Sequence, residues 1–391
     1  MYRYQFKICY NSISDSIKYL KNLEFAHLCL LKVKKLPDGF GKLIKLTTLD
    51  FGNVGHIPEF PASCAQLKNL ETFTCSFSEC PLPESLGNLK YLRNLEFCKG
   101  NITAFPESIG QLEHLEFIDI TKAYGFRTIP ESFGNLKSLR YFRAGLTDID
   151  KLPENFGNLQ KLRYLSLGAC YTLSTLPQSF AQLNLDTLYL GSSPVQLPEN
   201  FGNLHVKVLQ MSVCGLTKLP DNFGNIQGLK ELDISKNNLK TLPESFGQLS
   251  DLINLVASNN KISDLPESFG QLQQLKTLDL QINKFKKIPS PLLKLSHLTY
   301  LDIGNNNINA LPDNFSALSN LTDLTLFNNN FTQFPSVLTQ LPKLESLDLS
   351  KNLLKQFPNA VKTMKGLKTC KLGDNEIQNL PDEYSGSSRD E

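Results

Sequence analysis

The chain of 391 residues carries 40 basic and 38 acidic residues, so its formal net charge at pH 7 is only +2. A charge this small excludes a general attraction to nucleic acid or to an anionic membrane surface. Hydrophobic residues make up 41% of the sequence, but no apolar run reaches the roughly 18 residues that a membrane span requires. We therefore expect a folded protein with no membrane span and no nucleic-acid partner.

Residues 1–19 are predicted to form a partial, capping repeat that covers the first edge of the fold. The stretch Tyr4–Ile8 alternates in character as a strand does. Residues 13–20 match the outer turn of the repeats that follow, except that Ser14 stands where those repeats have proline.

From residue 20 to residue 381 the sequence repeats one pattern about sixteen times. Each repeat contains a Leu-Pro, Ile-Pro or Phe-Pro step, the first ending at Pro37 and the last at Pro381. The steps are about 21 to 24 residues apart, and from Pro220 onward the spacing is about 23 residues throughout. Such a period indicates one solenoid of stacked units rather than several globular domains.

Each part of a repeat has its own predicted structure, as the unit that begins at Leu249 illustrates. Leu255–Ala257 alternates like a short strand, and Asn260 follows where the chain must turn. The side-chain amide can donate and accept, so it can satisfy backbone groups that the bend leaves bare. Pro266 can open a helical turn, and the spacing of three between Phe269 and Leu272 favours a 3₁₀ turn.

A single repeat is too small to bury its apolar side chains, so neighbouring repeats must stack and pair their strands in one parallel sheet. The pattern Leu-x-x-Leu-x-Leu-x-x-Asn-x-Leu-x-x-Leu-Pro resembles the leucine-rich-repeat superfamily. With Pro-Glu-Ser-Phe-Gly-x-Leu added, it resembles the intracellular 23-residue class, which includes bacterial effector-type and Ras-group proteins. The resemblance implies an α/β horseshoe with a parallel concave β-sheet and short 3₁₀ or helical turns on the convex face.

The repeats differ between an irregular part, residues 20–226, and a regular part, residues 227–381. The regular part has the turn asparagine in every repeat, whereas Cys214 stands at that step in one earlier repeat. The asparagines are Asn237, Asn260, Asn283, Asn306, Asn329, Asn352 and Asn375. Two interpretations stay open: the irregular repeats have drifted, or their shape suits a partner. Residues 382–391 are polar and acidic and are predicted to be a tail.

The nine cysteines are scattered, and eight of them precede residue 215. Extracellular proteins of this kind usually cluster cysteines at both ends, so we expect reduced thiols in a reducing compartment. Cys75 and Cys80 could instead pair or bind a metal, but no second pair completes a zinc site.

Residues beside the inward leucine of each strand are expected to face the partner. The first candidate site is an aromatic and basic group in the irregular part. Its members are Phe117, Tyr141, Tyr164, Tyr189, Arg140, Arg143 and Arg163. Tyrosine and arginine are enriched in interface hot spots, although single exposed aromatic residues on strands are also common.

The second candidate site is an acidic stripe in the regular part. Its members are Asp233, Asp279, Asp302 and Asp348, with Glu231 and Asp323 beside them. The stripe could meet a basic partner, or it could be a solvated face that keeps the sheet soluble. No burial is expected to shift the pKa of these carboxylates.

No catalytic, cofactor or metal site is predicted. The five histidines fall in separate repeats, and the sequence lacks a phosphate loop and a serine nucleophile elbow. We therefore expect a non-catalytic scaffold that binds a protein partner, as a monomer or weak homodimer.

The open alternatives are the substrate-recognition arm of a ligase-type enzyme whose catalytic domain is absent, and an extracellular receptor or adhesin ectodomain. The first residues lack the apolar core of a signal peptide. A cytoplasmic location, or secretion into a host cell without a classical signal, is therefore expected.

Overall fold

The computed structural model describes residues 5–8, 13–28, 36–53, 61–76, 82–100 and 102–378. Four sequence predictions fall outside these ranges: those on Tyr4, on Cys80, on the final step at Pro381 and on the acidic tail. Internal contacts divide the chain into two compact units, residues 1–214 and residues 215–391.

The first unit is built on short parallel strands, one for each repeat. In its described ranges the strands are β1 (Gln5–Ile8), β2 (Phe25–Leu28), β3 (Thr48–Asn53), β4 (Thr72–Ser76), β5 (Asn94–Glu96), β6 (Phe117–Asp119), β7 (Tyr141–Arg143), β8 (Tyr164–Ser166), β9 (Asn184–Tyr189) and β10 (His205–Gln210). Each strand pairs in parallel with the next, so that Asp119, Arg143, Ser166 and Tyr189 stand side by side.

The second unit repeats this arrangement with shorter strands. The described strands are β11 (Glu231–Asp233), β12 (Asn254–Val256), β13 (Thr277–Asp279), β14 (Tyr300–Asp302), β15 (Asp323–Thr325), β16 (Ser346–Asp348) and β17 (Thr369–Lys371). The register again follows the repeat, with Asp279 beside Asp302 and Asp348 beside Lys371. The predicted parallel sheet is confirmed within each unit.

Short 3₁₀ turns follow the proline steps on the other side of each repeat. In the first unit the described turns are Asp15–Tyr19, Asp38–Lys42, Ala62–Gln66, Glu84–Asn88, Glu107–Gln111, Glu131–Asn135, Phe156–Asn158, Gln178–Gln182 and Phe201–Asn203. In the second they are Phe223–Asn225, Glu244–Gln248, Glu267–Gln271, Ser290–Lys294, Asp313–Ala317, Ser336–Gln340 and Asn359–Thr363. The Phe269 N–H donates to the Pro266 carbonyl at 2.9 Å, so proline opens the turn as predicted.

The core of each unit lies between the strands and the 3₁₀ turns. The central residue of a strand, such as Phe142 or Leu165, is fully buried. Phenylalanines of successive turns stack on one another, with ring centroids 6.0 Å apart for Phe133 and Phe156 and 6.1 Å apart for Phe156 and Phe180. The shared apolar face is therefore continuous from one repeat to the next within a unit.

The turn asparagines of the second unit join adjacent repeats through the backbone. The Asn260 Oδ1 accepts from the Leu239 N–H at 3.0 Å, and its Nδ2 donates to the carbonyls of Ile234 and Ala257 at 3.0 and 3.1 Å. This is the predicted use of the amide as donor and acceptor.

Smaller polar side chains take the equivalent position in the first unit. The Cys170 Sγ donates to the Ala144 carbonyl at 3.2 Å, and the Ser193 Oγ donates to the Leu167 carbonyl at 2.7 Å. The Cys214 Sγ likewise donates to a main-chain carbonyl at 3.3 Å. In these irregular repeats a thiol or hydroxyl therefore donates the hydrogen bond to the carbonyl that the asparagine amide donates in the regular repeats.

Candidate functional site

Five of the seven predicted site residues share the exposed face of the sheet in the first unit. Phe117, Tyr141 and Tyr164 occupy the first position of neighbouring strands β6, β7 and β8. Arg143 ends β7, and Tyr189 ends β9. We call these five residues the aromatic patch.

The rings of the aromatic patch form a continuous row. Ring centroids are 6.2 Å apart for Phe117 and Tyr141, 6.3 Å for Tyr141 and Tyr164, and 5.7 Å for Tyr164 and Tyr189. Tyr141 is 44% exposed and Tyr189 is 37% exposed. The row therefore presents a rigid, amphipathic surface to solvent.

Arg143 is held over two rings of this row. Its guanidinium carbon lies 5.5 Å from the Phe117 centroid and 5.3 Å from the Tyr164 centroid, which are cation–π distances. An Arg143 Nη1 atom also lies 3.7 Å from Asp119 Oδ2. The charge is thus fixed in position, while the side chain remains 46% exposed.

Asp119 is nearly buried at the end of its strand. Its Oδ1 accepts from the Thr121 N–H at 2.8 Å, which satisfies a backbone group at the turn. The other oxygen faces Arg143. This carboxylate therefore has a structural function and also orients the arginine.

Arg140 and Arg163 lie one position before their strands, outside the row of rings. The Arg140 Nε is 4.0 Å from Glu116 Oε2. An Arg163 Nη1 donates to the carbonyls of Leu162 and Asn184, both at 2.8 Å. The structure thus separates these two arginines from the other five residues and gives Arg163 a role in holding the backbone.

A cavity of about 420 Å³ opens beside the aromatic patch. It is lined by Cys98, Lys99, Asp119, Thr121, Lys122, Arg143, Tyr164 and Ser166. The sequence interpretation missed Lys99 and Lys122, which follow β5 and β6 in equivalent turns. The repeat spacing of 23 residues between these two lysines could have indicated them.

In the turns after β7, β8 and β9, the residue two positions beyond the end of the strand is a glycine. Gly145, Gly168 and Gly191 occupy this position, where the preceding repeats have Cys98 and Thr121. Gly145 is buried, and a Cβ added there would lie 3.1 Å from the Gly168 carbonyl oxygen, so these turns pack closely against the next repeat.

Burial changes the ionisation of two groups at this site. It is the first cause that raises the pKa of Tyr164, and the neighbouring Tyr189 adds to it. Burial, followed by the charge of Asp119, raises the pKa of the Cys98 thiol to about 12. Cys98 therefore stays protonated and is a poor nucleophile at neutral pH.

The aspartates of the acidic stripe terminate strands in the second unit. Asp233 and Asp348 accept from the backbone N–H groups of Ser235 and Ser350 at 2.8 and 2.9 Å. In the same way, Asp279 accepts from the Gln281 N–H at 3.0 Å, and Asp302 accepts from the Gly304 N–H at 2.9 Å. These bonds explain why aspartate recurs at these positions, and the explanation does not require a basic partner.

The expectation that no stripe carboxylate has a shifted pKa is wrong for Asp302. The residue is only 8% exposed. Burial raises its pKa from 3.8 to about 6, the bond from the Gly304 N–H opposes the shift, and the charge of Asp279 adds to it. Between about pH 4 and pH 6 the folded chain holds a proton that the unfolded chain releases, so stability falls as the pH rises through this window.

The variant Asp302→Asn is expected to be more stable than the parent chain at pH 7 and equally stable near pH 4. The gain should be about 1–2 kcal/mol, below the full linkage value because the carboxylate keeps some contact with solvent. Urea denaturation at both pH values measures it. The matched control is Asp233→Asn, a half-buried aspartate at the equivalent strand end. A gain at Asp302 that is independent of pH would contradict the burial argument.

Two classes of site are missing from the described residues. No group of three or more His, Cys, Asp or Glu side chains in these ranges is placed to hold a metal ion. Across the same ranges, no helix has the length and apolar character needed to cross a membrane.

A family model described as "Leucine-rich repeat region" matches residues 200–280 and 257–380. The sequence has no significant match among curated proteins.

Solved structures extend the likeness over more of the chain. A leucine-rich-repeat protein of Leptospira interrogans is 28% identical with a TM-score of 0.64, and the match covers 82% of this chain and 88% of that chain. A TDR receptor is 26% identical with a TM-score of 0.62, covering 95% and 75%. The glycosylated Drosophila Toll–Spätzle complex is 20% identical with a TM-score of 0.78, covering 92% and 52%, and shows the fold alone.

Proposed function

We propose that this chain, a leucine-rich-repeat protein, is a non-catalytic module that binds a protein partner through the aromatic patch. The observation that carries the proposal is the position of Arg143, stacked between Phe117 and Tyr164 in an exposed row of rings. Interfaces are enriched in tyrosine and arginine at the residues that contribute most to affinity.

Pre-ordering of the patch supports binding rather than a purely structural function. A flexible arginine loses rotamer entropy when it is immobilised by a partner, about 0.5–1.5 kcal/mol for such a side chain. Here two rings and Asp119 already fix Arg143.

The proposal includes the intracellular 23-residue class and a bacterial effector-type role. Free thiols at Cys98, Cys170 and Cys370 support a reducing compartment. Burial raises the pKa of Cys170, which keeps its thiol protonated at neutral pH. The likeness to a Leptospira interrogans protein supports a bacterial context.

The binding test uses affinity capture from a lysate of the source or host cells. The bait is the parent chain beside a variant with Tyr141→Ala, Arg143→Ala, Tyr164→Ala and Tyr189→Ala. A specific partner should bind the variant at least about 100-fold more weakly, since hot-spot truncations lose roughly 2–4 kcal/mol each.

The matched control carries Tyr300→Ala and Lys371→Ala on the exposed sheet face of the second unit. Tyr300 is 37% exposed, the same fraction as Tyr189. Circular dichroism should show that both variants stay folded. Equal capture by the parent and the four-site variant would exclude the aromatic patch as the binding surface.

A further inference from the structure

The cavity beside the aromatic patch has a charge composition that selects its ligand. Lys99, Lys122 and Arg143 contribute three positive charges to the lining, and Asp119 contributes one negative charge. The Asp119 carboxylate is already engaged by the Thr121 N–H and by Arg143. Glu96, which interacts with Asp119 and Arg143, adds a second negative charge and leaves a balance of one positive charge. The cavity therefore favours an anion that brings one negative charge.

A single carboxylate matches this balance better than a phosphate does. A phosphate dianion would stand beside Asp119 and near Glu96, whose own pKa is raised by burial and by the charge of Asp119. These carboxylates would repel the second negative charge of a phosphate.

The row of rings has the spacing of an extended peptide. Side chains on one face of an extended chain recur every two residues, about 6.6 Å apart. The ring centroids from Tyr141 to Tyr164 and from Tyr164 to Tyr189 are 6.3 and 5.7 Å apart. An extended segment that crosses the strands can therefore place successive side chains against successive rings.

The cavity is an open depression of about 420 Å³. It has room for one acidic side chain.

We propose that the aromatic patch binds an extended acidic peptide segment of the partner, with one carboxylate side chain seated in the cavity between Lys122 and Arg143. The inference rests on the proposed protein-binding function and deepens it. The residues two and four positions away from the carboxylate then contact the rings of Tyr164 and Tyr189.

The probe is a library of nonapeptides, acetylated and amidated so that neither end is charged. The central residue is Glu, Gln, Lys or phosphoserine, and the positions two and four residues away are randomised. After selection on the immobilised full chain, glutamate should be enriched at the centre. Apolar or aromatic residues should be enriched at the randomised positions.

A double-mutant cycle then tests the contact itself. The enriched peptide should bind at least tenfold more weakly after a Glu-to-Gln change in the peptide, and equally so after Lys122→Gln or Arg143→Gln in the protein. Combining the changes should add little, because both remove the same interaction. The matched control is Lys236→Gln, which occupies the equivalent left-handed turn position, φ 54° against 63° for Lys122.

The outcomes separate this inference from the proposed function. If Tyr141→Ala and Tyr189→Ala abolish peptide binding while Lys122→Gln and a neutral peptide do not change it, the carboxylate inference fails and the binding function stands. Enrichment of phosphoserine or lysine at the centre also overturns the inference. If no peptide binds and the four-site variant captures the partner normally, both fail.

Discussion

The variant Asn283→Ala is expected to lower the free energy of unfolding by about 3–4 kcal/mol. Asn283 is 3% exposed and its Oδ1 accepts from the Ile262 N–H at 3.0 Å. Its Nδ2 donates to the carbonyls of Ala257 and Leu280 at 3.1 and 3.0 Å. Alanine removes these bonds and leaves the partners buried without water, each at a loss of roughly 1–3 kcal/mol.

Urea denaturation followed by circular dichroism measures the loss. The variant Asn314→Ala is the control, because that asparagine lies exposed in a 3₁₀ turn and its replacement should change stability by less than about 0.5 kcal/mol. The variant Asn283→Cys should fall between them, since Cys170 shows that a thiol can donate to the equivalent carbonyl. Equal stability of the two alanine variants would contradict the role assigned to the turn asparagine.

The variant Gly247→Ala is expected to destabilise the chain by about 3 kcal/mol or more. A Cβ added there would lie 2.0 Å from the Ser268 carbonyl oxygen and 2.5 Å from its carbon. Both atoms belong to the backbone of the next 3₁₀ turn, so no side-chain rotation relieves the clash. The stacked turns would have to move apart and would lose phenylalanine contacts, such as the 5.9 Å stack of Phe246 and Phe269.

The same substitution at Gly373 serves as the comparison. A Cβ there would meet no atom within 4 Å. Gly373→Ala should therefore be nearly neutral in the same urea titration. A large loss at both positions would indicate that backbone flexibility, and not close packing of the turns, accounts for the glycine at residue 247.

The parallel strands and 3₁₀ turns could be predicted because one pattern recurs many times in the sequence. A single Leu-x-Leu step is ambiguous, but its recurrence sets which residues are neighbours. Residues at equivalent steps of the repeat, such as Asp119, Arg143, Ser166 and Tyr189, are neighbours in the register that the strands adopt. The hydrogen bonds that the strand-end aspartates accept from backbone N–H groups of the following turn were not predicted. These bonds depend on the geometry of the turn and not on the spacing of the repeats.

The candidate site was predictable only in part. The repeat placed the tyrosines on one face, but it grouped Arg163 with them although its guanidinium binds main-chain carbonyls. The pattern also gave no indication of the cavity, since this depends on how Arg143 leans over two rings. The expectation for Asp302 failed because identical residues in a column are buried to different extents.

The turn asparagines also determine how the chain can change its length. Asn260 bonds a carbonyl 26 residues before it and an N–H 21 residues before it, so its bonds reach only the adjacent repeat. Duplication or deletion of one whole repeat in the second unit leaves each remaining asparagine with an equivalent set of partners. An insertion of any other length between strand and turn breaks that correspondence, so length variation here proceeds in steps of one repeat.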